Sequence, residues 1–186
     1  QIRSSAASDV YKRQDTETLM KTVDLVVATG SQNNIRSAYS SGTPAVGVGA
    51  GNVAVIVDET ADLNEAAQKI IASKIFDNAT SCSSENSAVV LTSVYDSLVS
   101  ALESQGAKLL TADEQEKLQQ LMWPEGKLKS TVIARPAHEI AEMAEIDCSA
   151  MPDVKVLLVQ ECQTGSAYPF SGCLLYTSPS PRDTNP

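Results

Sequence analysis

The stretch Val53–Leu91, VAVIVDETADLNEAAQKIIASKIFDNATSCSSENSAVVL, decides the fold class. It opens with an unbroken apolar, β-branched run, Val53–Val57. A run without polar alternation reads as a strand buried on both faces, as in parallel sheets. Asp62 is a natural helix N-cap, and Glu65 follows at the spacing of a capping box. Leu63, Ala66, Ala67, Ile70, Ile71, Lys74 and Ile75 then keep helical spacing, all but the lysine apolar. Phe76–Glu85 is small and polar and predicts a loop. Ala88–Leu91 predicts the next strand. Strand, helix and strand in succession make a βαβ unit, whose crossover joins parallel neighbours.

The same alternation runs outward on both sides. Upstream, Val23–Ala28 predicts a strand ended by Thr29-Gly30-Ser31. Asn33–Ser40 predicts a helix closed by Ser41-Gly42, and Ala45–Val48 a short strand. Downstream, helices are expected over Val94–Gln105, Ala112–Met122 and Ala137–Ala144. Strands are expected over Lys108–Leu110, Thr131–Ala134 and Val154–Val159, with a turn at Trp123-Pro124-Glu125-Gly126. The fold class is α/β with largely parallel sheets, and the loop near Cys82 is the expected boundary between two α/β halves.

The chain has 186 residues, is 42% hydrophobic and carries a formal charge of −9. That is enough apolar material for a core and about one domain by length. The acidic balance, without a Lys/Arg cluster, argues against a nucleic-acid partner. No apolar run approaches the roughly 18 to 20 residues of a membrane span. The ends differ in composition from the middle. Asp9–Gln14 (DVYKRQ) and Cys173–Ser178 (CLLYTS) are readings of one short DNA element on opposite strands, and both resemble translated sequencing adaptor. A natural disordered tail is the alternative. Residues 1–14 and 173–186 are therefore set aside from fold reasoning. The natural segment is expected over 15–172, as a fragment of a longer protein.

Several patterns offer chemistry. GVGAGN (Gly47–Asn52) has the look of a dinucleotide fingerprint, but Asn52 stands at the third glycine and a strand follows where a helix is needed. These glycines are better read as allowing close backbone approach. The four cysteines, Cys82, Cys148, Cys162 and Cys173, form no C-x-x-C pair, and with one histidine a metal site is not expected. Cys148 and Cys162 read as small buried hydrophobes. Cys82 stands mid-loop among Thr80, Ser81, Ser83 and Ser84, where small neighbours leave room for a substrate and backbone N–H groups for an oxyanion. From context alone it is either a nucleophile or a chance surface cysteine. His138, at a helix start, reads as solvent-facing, which argues against a Cys–His hydrolase. The Asn78-Ala79-Thr80 sequon is read as chance.

Three stretches in order, Ala38–Asn52 (AYSSGTPAVGVGAGN), Asp58–Asp62 (DETAD) and Ser73–Glu85 (SKIFDNATSCSSE), together with Ala28–Ser31 (ATGS), resemble the aldehyde dehydrogenase superfamily. The likeness is strongest to its CoA-acylating branch, which includes the aldehyde half of bifunctional aldehyde–alcohol dehydrogenases and acylating sulfoacetaldehyde dehydrogenases. It covers nearly all of 15–172. The resemblance implies parts of two Rossmann-like domains: 15–78 as the end of a cofactor-binding domain and 79–172 as the start of a catalytic one. It makes Cys82 the catalytic nucleophile. It brings Thr29, Gly30 and Ser31 to the nicotinamide and phosphate end of NAD or NADP, the Val48 backbone to the carboxamide, and Glu161 to the nicotinamide ribose.

One departure from the family is informative. Hydrolytic members carry Glu-Leu-Gly-Gly, whose glutamate activates water, and that motif falls on Gly47-Val48-Gly49-Ala50. Without the base, a thiol such as coenzyme A takes the acyl group from the Cys82 thioester. Glu85 is the alternative carboxylate that would restore hydrolysis. The resemblance thus implies a cytoplasmic, homo-oligomeric enzyme oxidising an aldehyde, sulfoacetaldehyde being the expected one, with NAD(P) and CoA. The alternatives are a hydrolytic aldehyde dehydrogenase and a non-catalytic homologue. The 186-residue chain by itself is expected to be inactive.

Overall fold

The computed structural model describes residues 13–30, 32–48, 53–81, 83–165 and 167–171. The adaptor-like ends lie outside them except for Arg13 and Gln14. The chain is α/β, and the three strand pairs among the described residues are parallel. It forms two compact units, 1–50 and 51–186.

The first unit holds helix α1 (Arg13–Thr22), strand β1 (Val26–Thr29), helix α2 (Gln32–Tyr39) and strand β2 (Ala45–Val48). β1 and β2 pair in register from Val26 opposite Ala45 to Thr29 opposite Val48. α2 covers one face of this pair with Ile35 and Ala38, both buried, and Val26 is buried beside them.

The second unit begins with β3 (Val53–Val57), α3 (Leu63–Ile75) and β4 (Glu85–Val90), the βαβ unit expected from the central stretch. The Asp62 carboxylate caps α3 by accepting from the Asn64 and Glu65 N–H groups at 3.0 Å each. Glu65 pairs with Lys69 at 2.6 Å. The reciprocal capping box forms instead at the head of α5, where the Thr111 N–H donates to Glu114 and the Glu114 N–H donates to the Thr111 hydroxyl.

Helix α4 (Tyr95–Ser104), strand β5 (Ala107–Leu109), helix α5 (Ala112–Met122), helix α6 (Ala137–Met143) and strand β6 (Val156–Leu158) complete the unit. Two apolar clusters hold it together. One gathers Val57, Ala67, Ile71, Leu98, Ala101, Leu102 and Ala107. The other gathers Leu110, Leu118, Met122, Trp123, Val132, Ala141, Ala144 and Ile146, with the Trp123 and Phe170 rings edge to face at 4.9 Å.

Thr131–Ala134 is not a strand. Ser130–Val132 is a 3-10 turn, with the Val132 N–H donating to Lys129 and the Ile133 N–H to Ser130. The β-branched residues there fill a core position through Val132 and do not join a sheet, because β-propensity measures fit to neighbours more than intrinsic backbone preference. The domain boundary expected at 78/79 falls inside the second unit, where β3 pairs with β4 across it.

Candidate active site

In the first unit the structure brings together three of the residues singled out from sequence. Thr29 and Val48 are paired at the carboxyl ends of parallel β1 and β2. The Gly30 N–H donates to the Val48 carbonyl at 3.3 Å and extends the ladder one step past β1. Gly30 has φ 116°, a conformation that costs glycine little and a side chain much. The backbone therefore turns away immediately beyond the strand ends. The Thr29 side chain is exposed there. The carboxyl end of parallel strands is where open α/β sheets place ligands. An exposed hydroxyl beside a Cβ-free turn fits close approach of a nicotinamide nucleotide. Ser31 lies outside the described residues.

On the same strand, the Gly47 N–H donates to the Tyr39 phenol oxygen at 3.0 Å. A Cβ on Gly47 would stand 2.7 Å from Ile35 Cγ2 and 2.9 Å from Tyr39 Cε2. Nothing in the sequence pattern pointed to Ile35 or Tyr39. Their spacing on α2 is visible, but what they press against is not.

In the second unit, Cys82 itself lies outside the described residues, and its loop is defined on both sides. Asp77, Asn78 and Ala79 all have positive φ, at 51°, 47° and 61°. Three consecutive non-glycine residues in this region are costly unless their surroundings hold them. Cross-links do so here. The Asn78 amide donates to the Ala134 carbonyl at 3.0 Å, and Ala134 has positive φ as well. The Thr80 N–H donates to the Asp77 carbonyl at 3.0 Å, and the Thr80 hydroxyl donates to the same oxygen. Beyond Cys82, the Ser84 N–H donates to the Ser81 carbonyl at 3.1 Å, and the buried Ser84 hydroxyl donates to the Ser73 carbonyl at 3.3 Å. The Lys74 ammonium donates to the Asn86 side chain at 2.8 Å. The loop is thus tied to α3 and to the segment near residue 134. A cavity of about 700 Å³, lined mainly by apolar groups including Val132, Leu157 and Phe170, opens beside Asn78, Ala79 and Thr80.

One oxygen of Glu85, at the head of β4, is buried and has no hydrogen-bond partner among the described residues. Glu161 follows β6 and is half-buried. Its carboxylate accepts from the N–H groups of Cys162 at 3.0 Å and Gln163 at 3.4 Å, which fastens the chain turn after the strand. Of the two cysteines read as buried hydrophobes, Cys148 packs against the α5–α6 core, and burial pushes its thiol pKa up. Cys162 is exposed, a correction: it stands past the end of β6, where no core reaches. His138 is exposed and lines the rim of the apolar cavity.

The sequence profile of the "Aldehyde dehydrogenase family" matches residues 14–123. "Sulfoacetaldehyde dehydrogenase (acylating)" of Cupriavidus necator is 54% identical over 157 residues, which is 84% of this chain and 32% of that protein. The bifunctional aldehyde-alcohol dehydrogenase of Escherichia coli is 38% identical over 149 residues, 80% of this chain and 16% of that one. Among solved structures, an acetylating aldehyde dehydrogenase from Geobacillus thermoglucosidasius matches with a TM-score of 0.82 and 39% identity, over 88% of this chain and 36% of that chain. The chain spans about a third or less of the length of these curated relatives. Parallel strand pairing, fold match and sequence match agree, and the chain belongs to the aldehyde dehydrogenase family.

Proposed function

We propose that this chain is part of a longer, NAD(P)-dependent, CoA-acylating aldehyde dehydrogenase, with sulfoacetaldehyde as its substrate. The observation that carries the acylating reading is Gly47. It falls where hydrolytic members keep a glutamate, and it has neither a side chain nor space for one. The 54% identity to a relative named as acylating supports the same reading, and that relative's name supports the substrate.

In this reading the Cys82 thiolate adds to the aldehyde carbonyl, and loop N–H groups hold the oxyanion. Thr29, Gly30, Ser31 and the Val48 backbone hold the nicotinamide end of NAD(P), and Glu161 its ribose. When bound, that nucleotide supplies the hydride acceptor that turns the Cys82 adduct into a thioester. The CoA thiol then attacks the acyl carbon, and the Cys82 sulfur leaves. The division into cofactor and catalytic halves, a homo-oligomeric assembly and a cytoplasmic location are parts of the same proposal. They are supported by the family resemblance. No described helix is long and apolar enough to cross a membrane.

The test uses the complete gene product. NAD(P)H formation is followed at saturating sulfoacetaldehyde with and without CoA. Turnover that needs CoA is the expected result. Equal turnover without CoA overturns the acylating reading. A second reading, hydrolysis with Glu85 as base, is favoured by its buried oxygen, which has no hydrogen-bond partner among the described residues. It requires that Glu85→Gln abolish CoA-independent turnover.

A further inference from the structure

We infer that Ile35 and Tyr39 of α2 determine acceptor specificity, by filling the space that any side chain at position 47 would need. The inference rests on the acylating reading above and adds a physical cause to it. A Cβ on Gly47 would meet Ile35 Cγ2 at 2.7 Å, Tyr39 Cε2 at 2.9 Å and Tyr39 Cζ at 3.2 Å. Carbon atoms at optimal separation stand about 3.5 to 4.0 Å apart, so the first two approaches are not tolerable without movement.

Neither neighbour yields easily. Ile35 is buried, with 6% of its surface exposed, and its Cγ2 branches directly from Cβ, where rotation is restricted in a helix. Tyr39 is more exposed, but its phenol oxygen is held by the Gly47 N–H at 3.0 Å, which lays the ring along the strand. The two side chains are four residues apart and lie on one face of α2. Together they clasp Gly47 from one side.

The glycine is therefore not just a missing base. Its volume is already occupied, and a carboxylate placed there has to displace α2 or lift the tyrosine ring. This bears on the fate of the Cys82 thioester. In hydrolysis the acyl–sulfur bond breaks and a carbon–oxygen bond forms to water. A base takes one water proton, and Cys82 leaves as thiolate. In transfer the acyl carbon bonds to the CoA sulfur, and the thiol proton passes to the Cys82 sulfur. Without room for a base at position 47, the second route is left.

Two measurements test this. In the complete enzyme, the carboxylic acid formed without CoA is compared for wild type, for Gly47→Glu, and for Gly47→Glu combined with Ile35→Leu and Tyr39→Ala. Ile35→Leu keeps the volume but moves the branch away from Cβ. The expected result is that Gly47→Glu alone forms no more acid than wild type, and that the triple variant forms roughly 100-fold more. Acid formation by Gly47→Glu alone at the rate of the triple variant overturns the inference. So does a folded triple variant that forms no more acid than wild type. Separately, Gly47→Ala is made in the complete enzyme, and thermal unfolding is followed. A loss of about 2 to 10 °C that shrinks when Ile35→Leu and Tyr39→Ala are also present is expected. An equal loss in both backgrounds overturns the inference. This second measurement does not depend on CoA, so a failure of the acylating reading is seen in the wild-type assay and a failure of the packing is seen here.

Discussion

The β5–β6 pair and the β1–β2 pair have the same parallel geometry and very different surroundings. Along β6, Val156 and Leu158 pack into the cluster around Leu98, while Leu157 and Val159 pack into the cluster around Trp123. Period-two alternation thus puts both faces of that pair in a core. In β1–β2, α2 covers one face. On the other, Val27, Val46 and Val48 are 70%, 55% and 57% exposed. The difference does not lie in strand composition, because the barer pair β1–β2 holds four valines, whereas β5 is Ala-Lys-Leu and β6 Val-Leu-Leu. It lies in how many layers reach each sheet. Parallel strands with a bare apolar face are built for a second layer.

The largest effect is expected on the covered side. Leu98 is 1% exposed at the centre of its cluster. Leu98→Ala should lower stability by about 2 to 5 kcal/mol, because the cavity cannot collapse between α3, α4 and the strands. Chemical denaturation reads this directly. A cost below about 1 kcal/mol would mean that this sheet is no better packed than β1–β2, and the contrast would break.

A middle-sized effect is expected where β5 meets α5. Glu114 is largely shielded, accepts from the Thr111 N–H at 2.9 Å and pairs with Lys108 at 3.0 Å. Burial by itself pushes its pKa up. The Thr111 N–H and the Lys108 ammonium outweigh that and hold it below the usual carboxylate range. A carboxyl lowered in the folded state stabilises above its unfolded pKa, and that stabilisation is lost as pH falls toward the folded one. Glu114→Gln should therefore cost about 1 kcal/mol at neutral pH. The gap to wild type should close as pH drops below about 4, through the carboxylate range. A gap that does not change with pH would show that the hydrogen bonds matter there and the charge does not.

The smallest effect on stability is expected on the bare face. Val27→Thr should change the unfolding free energy by less than about 0.5 kcal/mol. It should also reduce self-association of the 186-residue chain, read by light scattering, because it breaks the apolar patch. A large loss of stability would show that the face is covered in solution and would sharpen where its second layer comes from.

Much of this was legible in the residues. The Asp62 cap and the helical spacing after it specify α3 locally, and the run Val53–Val57 specifies β3 but not burial on both faces, since Ile56 is 77% exposed. The small polar loop around Cys82 and the turn at Gly30 were readable for the same reason. The misreadings share a cause. Thr131–Ala134 has strand composition but meets a core and not a sheet edge, and Cys162 has the usual preference for burial but lies beyond the last strand. Sequence by itself determined the α/β alternation, the parallel pairing and the family likeness. Only the tertiary structure decided that Thr29, Gly30 and Val48 meet, and that Ile35 and Tyr39 occupy the space beside Gly47. Periodicity is written in residues that are neighbours along the chain. Close contact between a helix and a strand depends on where whole elements come to rest, which no single stretch encodes.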